Sequence, residues 1–156
     1  HVRRWVKWRS LLRPSTMASV IAGLVGGLVA TIAMSIVMKL MGGGPPPTAA
    51  LLAKFMGGEP DDHAKPGMLL HLVYGTGAGV VFALGVPVLG FDLGSLGVAV
   101  ALGLGYGLVL MVGGMAFWLQ GIIGMEPETD MLVTFGIVHV VYGLVLGAFL
   151  GAGLLA

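Results

Sequence analysis

Four stretches of this chain are too long and too apolar to be clothed by water. They cover residues 17–40, 68–89, 95–119 and 131–155. None holds an acidic residue, and the one basic residue among them is Lys39, at the end of the first run. A helix that crosses the hydrocarbon core of a bilayer needs about 20 mostly apolar residues, so each run is long enough to span. Lys39 can hold its ammonium at the interface while its stem stays in lipid. Composition agrees: 57% of the residues are hydrophobic, 10% are charged, and the mean hydropathy is +1.01. A soluble domain carries about 25% charged residues to cover its surface. The expected fold class is therefore an all-α, polytopic membrane protein with four transmembrane helices.

The segments between the runs read as helix ends. "GGGPPP" (42–47) stops the first run, because Gly and Pro continue a helix only at a cost. "GEPDDHAKPG" (58–67) leads into the second, "GFDLGS" (90–95) is a tight turn, and "GMEPETD" (124–130) precedes the fourth. Asp92 in the tight turn is expected to cap the third helix. "TAALLAKFM" (48–56) is a short amphipathic helix, too short to cross, and is expected to lie at the interface. Residues 1–16 form a basic interfacial segment ahead of a four-helix domain at 17–156. The first run is long and lacks a small-residue cleavage pattern, so it reads as a retained span, not a signal peptide.

Arg3, Arg4, Lys7, Arg9 and Arg13 all precede the first span. The positive-inside rule places them in the cytoplasm, with Trp5 and Trp8 as interfacial anchors. Four spans return the C-terminus to the same side of the cell membrane. The two outer loops then hold Glu59, Asp61, Asp62, Glu126, Glu128 and Asp130, a solvated acidic face that suggests a salty exterior. The absence of cysteine excludes disulfides, thiolate catalysis and cysteine metal sites. A net charge of +1 offers no field for nucleic acid.

The halves of the chain echo one another. "HLVYG" (71–75) and "HVVYG" (139–143) stand 68 residues apart, and Leu24, Gly27, Leu28 and Val29 match Leu104, Gly107, Leu108 and Val109 at an offset of 80. The 12-residue difference is a shorter outer loop in the second half. A duplicated helical hairpin is expected, its halves related by an axis along the membrane normal. Small residues allow helices to meet closely in lipid. The expected packing lines are Gly23 and Gly27, Gly75 and Gly79, Gly103 and Gly107, and Gly143, Gly147 and Gly151. "GLGYG" (103–107) lies inside a helix, which rules out both a selectivity filter and a dinucleotide loop.

His71 and Tyr74 share one helix face, as do His139 and Tyr142. Polar side chains inside a span must find partners. The simplest expectation is a neutral histidine bonded to a neighbouring helix or to interfacial water. A second is a site for a proton or a ligand, made by His71, Tyr74, His139 and Tyr142. A third is haem or copper on His71 and His139, with His63 approaching from its loop as a further ligand. The methionines Met34, Met38, Met41, Met111 and Met115 could serve copper(I), but more often such residues fill gaps in apolar packing. Tyr74, Tyr106 and Tyr142, each followed by Gly, are expected to make interhelical hydrogen bonds. No cofactor is predicted outright.

A first span ending in a Gly/Pro-rich loop, "HLVYGTGAGVVFALG" opening the second, a third ending "QGIIGMEP", and "GIVHVVYGLVLGAFLG" in the fourth form a pattern over residues 17–155. It resembles the uncharacterised small four-span membrane proteins of halophilic archaea, and its layout is similar to that of the YagU-like inner-membrane proteins. The resemblance implies a four-span fold and no particular activity. The leading expectation for function is a non-catalytic accessory or structural subunit of a larger membrane assembly, such as a respiratory complex. The partners are then the lipid bilayer and other membrane subunits or further copies of the chain. An oligomeric transporter or channel for a small solute or ion is the first alternative, and a haem- or copper-binding electron carrier the second. No arrangement of residues suggests an enzyme.

Overall fold

A computed structural model describes residues 14–155. Trp5, Trp8, Arg3, Arg4, Lys7, Arg9 and Arg13 lie outside them, and so does their expected anchoring role. Among the described residues all regular structure is helical: α1 (Pro14–Leu40), α2 (Pro47–Met56), a 3-10 turn (Pro60–His63), α3 (Ala64–Val88), α4 (Leu96–Gly113) and α5 (Thr129–Gly151). After Gly113, α4 continues through Gly114–Ile123 as a wider π-helix, with bonds to the fifth residue back. Four helical stretches, Ser15–Leu40, Pro60–Val88, Leu96–Ile123 and Thr129–Gly151, are long and apolar enough to cross a membrane. The protein is an integral membrane protein with four spanning helices.

The boundaries follow local chemistry. Gly42, at φ 78°, breaks α1, and Gly43 N–H caps it by donating to Met38 O at 2.9 Å. Pro47 opens α2, where its missing N–H costs nothing. "HAKPG", expected as a linker, is helical instead, because Pro66 falls in the first turn of α3 where a proline fits. Asp92 does not cap α4. The N-cap is Ser95, and Asp92 Oδ1 accepts from Gly94 N–H at 2.8 Å within the turn. The third span also runs four residues further than its apolar run, as far as Ile123.

Within the bundle, α1 packs on α3, α4 packs on α5, and α1 also packs on α5. The tight seams are glycine to backbone. A Cβ on Gly23 would stand 2.8 Å from Val80 Cα, and one on Gly103 would stand 2.9 Å from Gly147 Cα. The α4–α5 seam is slid by about one turn relative to α1–α3. Gly79 presses on Gly23 and Gly27, whereas Gly147 presses on Ala99 and Gly103. Gly75 meets Thr31 and Gly27; Gly143 meets Gly103 and Gly107; Gly151 meets Leu96 and Ala99. Beside the seams the core is Ala30, Met34, Ala78, Phe82, Val86, Val138, Tyr142 and Leu146. Large apolar side chains such as Ile36, Val81, Val109 and Val133 face outward, as lipid requires.

The α3–α4 seam is built differently. Their backbones stay apart and aromatic rings fill the gap: Phe82 and Tyr106 at 5.0 Å, Tyr74 and Trp118 at 6.3 Å. At the end of the bundle that carries the acidic loops, α2 docks on the start of α3. Thr48 Oγ1 donates to Gly67 O, and Ala49 sits on Gly67. Lys54 Nζ donates to Ile123 O at 3.1 Å, tying α2 to the end of the π segment.

Candidate functional site

Several polar groups inside the spans meet near Gly75 and Ala78 of α3. On α3 the buried positions Gly75, Ala78 and Phe82 recur at helical spacing, and His71 precedes Gly75 by one turn on the same face. Two tyrosines from the other hairpin land on this face. Tyr142 OH donates to Gly75 O at 2.7 Å, and Tyr106 OH donates to Ala78 O at 2.8 Å. Tyr142 is 1% exposed, so its hydroxyl is satisfied by the one partner geometry allows. Thr31 is fully buried beside Gly75 and donates to Gly27 O of its own helix at 2.7 Å. Ser35 donates in the same way to Thr31 O.

His71 and His139 each lie one turn beyond this layer toward the acidic end. Their bonding differs. His139 Nδ1 meets Phe135 O, four residues back, at 2.8 Å. A carbonyl only accepts, so Nδ1 carries the proton in this arrangement. The His139 ring also stacks on Phe135 at 5.6 Å and 15°. For His71 the carbonyl four residues back is Gly67 O, which instead receives Thr48 Oγ1. His71 Nε2 is buried with no hydrogen-bond partner among the described residues. It is the one buried side-chain polar atom among the described residues without a partner.

Tyr74 departs from expectation. Its hydroxyl makes no bond of the kind Tyr106 and Tyr142 make. The ring is 45% exposed and sits edge-on to Trp118. His63 does not approach His71, because its Nε2 is held by Gly57 O at 2.7 Å in its own loop. Glu59 and Asp62 cap the 3-10 turn reciprocally, and Glu126 accepts from Gln120 at 3.2 Å. Among the described residues no group of three or more His, Cys, Asp or Glu is placed to hold a metal ion. Met34 is a core residue, Met38 packs against that core, and Met41 is exposed.

Three features escaped the sequence reading. Thr48 donates to Gly67 O, the carbonyl four residues before His71, yet nothing in its local sequence marks it. Tyr106 fills the α3–α4 seam, where Gly26, 80 positions earlier, lets Leu146 and Phe149 close on α1. Finally, Gly97, Ala101, Gly105, Val109 and Gly113 form an exposed line on α4, and the four-residue spacing was its only signal. The sequence matches no protein-family model, and comparison with curated proteins and with solved structures finds no match.

Proposed function

We propose that this chain is a non-catalytic membrane subunit whose α4 face packs against a helix of another membrane protein. The observation that carries the reading is the two-sidedness of α4. Ala99, Gly103 and Gly107 are buried against α5, while Gly97, Ala101, Gly105 and Gly113 point the opposite way. Among the described residues, no atom outside the helix's own backbone lies within 4 Å of a Cβ built on Gly97, Gly105 or Gly113. Of the four spans, this one has the smallest buried share, 17% against 28–33% for the others. In lipid, helices associate through close backbone approach, and an open small-residue face is suited to it.

Two further parts of the reading belong with it. The chain is two copies of one hairpin, supported by glycine seams built from positions 80 residues apart on one side and 68 on the other. The termini are cytoplasmic, supported by the basic residues that precede α1. The test is the mass and composition of the particle extracted from native membranes in mild detergent. Larger unrelated subunits at fixed stoichiometry, lost on Gly105→Leu, are the expected result. A lone monomer, or a particle indifferent to Gly105→Leu, overturns the proposal. A ligand-binding role is the second reading, favoured by the unpartnered Nε2 of His71.

A further inference from the structure

We infer that α2 is a latch across the α3–α4 seam. Its start is fixed to α3, its end is closed on α4 by Lys54, and release of Lys54 opens the acidic-end half of the seam to lipid. The bundle is two hairpins, α1 with α3 and α4 with α5, each joined along a glycine seam. The hairpins face each other on two sides. On one side α1 and α5 pack directly, and a Cβ on Gly26 would stand 3.0 Å from Phe149 Cδ1. On the other side the backbones of α3 and α4 stay apart. Midway along that seam Tyr106 ties the two helices, donating to Ala78 O and leaning on Phe82. From there to the acidic end, two features bridge the seam among the described residues. One is Tyr74, edge-on to Trp118, and the other is α2, which packs on both the start of α3 and the π segment of α4.

The two ends of α2 are held unequally. At its start Ala49 is fully buried, and a Cβ on Gly67 would stand 2.6 Å from Ala49 Cα. Thr48 Oγ1 donates to Gly67 O, and Ala53 is buried one turn further on. This end moves with α3. At the other end Phe55 and Met56 are 72% and 70% exposed. There the hydrogen bond to α4 is Lys54 Nζ to Ile123 O, at 3.1 Å and exposed. The bond suits its place, because the last carbonyls of a helix lack partners within it and attract a cation. It can be exchanged for water at small net cost, whereas close packing of Ala49 on Gly67 cannot. Local opening begins where bonds are exposed and buried contacts are few, so the latch parts at Lys54 and α3 carries α2 away from α4. The connection between α4 and α5, residues 124–128, carries no such helix. The strap thus stands on the side where the hairpins do not close by direct packing.

The inference does not rest on the assembly role, and its test uses the purified chain in phosphatidylcholine nanodiscs. The chain has no cysteine, so an introduced pair takes the only spin labels. Val73→Cys with Ala116→Cys, both at exposed positions, reports across α3–α4. Ile36→Cys with Ile137→Cys, also exposed, reports across α1–α5 at the same end. Pulsed dipolar spectroscopy then gives the distance distribution of each pair. Lys54→Met keeps the stem and loses the charge. It is expected to add a longer-distance population to the first pair and to leave the second unchanged. Lys54→Arg keeps a charged donor and is expected to match the parent. An unchanged first pair in Lys54→Met overturns the inference, because something other than α2 then closes the seam. Lengthening of both pairs also overturns it, because the loosening is then general. A Lys54→Arg protein as open as Lys54→Met overturns the role given to the bond.

Discussion

Replacing either histidine by leucine removes an imidazole from a spanning helix, yet the two changes should move stability in opposite directions. His139 has a hydrogen bond of 2.8 Å to Phe135 O and a stacked ring at 5.6 Å. A hydrogen bond of this kind contributes about 0.6–1 kcal/mol within a membrane protein, and ring stacking about 0.5–1 kcal/mol more. His139→Leu should therefore cost about 1–2 kcal/mol. His71 Nε2 makes no bond, and leaving a buried polar group unsatisfied costs about 1–3 kcal/mol. Leucine of similar bulk removes that penalty, so His71→Leu should be neutral or stabilising by up to about 1 kcal/mol. The assay is reversible unfolding of the purified protein in bicelles by titration with a denaturing detergent, with both variants measured against the parent. The reasoning fails if His71→Leu destabilises by more than about 1 kcal/mol while His139→Leu does not. That result would mean His71 has a bonding partner within the folded protein.

Three other substitutions probe the packing with the same assay. Gly79→Ala puts a methyl 2.6 Å from Gly27 Cα, against backbone that cannot step aside, and should cost about 3 kcal/mol or prevent folding. Gly105→Ala meets no atom within 4 Å and should leave the isolated chain unchanged or slightly more stable; a loss above about 1 kcal/mol would place a neighbour there within the monomer. Tyr142→Phe removes the donor to Gly75 O and should cost about 1 kcal/mol, with a loosened α3–α5 contact visible as faster amide exchange around Gly75.

The spans were legible because length and apolarity together leave a chain few alternatives to lipid. Much of the packing was legible for a related reason. A glycine pair at four-residue spacing in a spanning helix is useful mainly where another backbone comes close, and Gly23 with Gly27, or Gly143 with Gly147, sits at such an approach. On α4 the same logic gives two answers. The lines through Gly103 and Gly105 are equally small, and which one meets α5 depends on how the whole bundle closes. The tyrosines show a similar limit. Each is followed by Gly, but only Tyr106 and Tyr142 face a carbonyl of α3, while Tyr74 lies on α3 itself and turns toward Trp118. The π winding of Gly114–Ile123 has no sequence sign beyond the Gly113–Gly114 pair at its start.

The difference between the two histidines follows from where the hairpins differ in sequence. The segment joining the first two spans is 12 residues longer between the matching positions, and it includes α2. Thr48 on α2 reaches Gly67 O, the carbonyl that corresponds in position to the Phe135 O bonded by His139. The carbonyl four residues back, which His139 Nδ1 uses on its own helix, is on α3 tied to α2 instead. The second difference is Tyr106 against Gly26, which decides whether an aromatic ring or a close backbone approach joins the neighbouring helix.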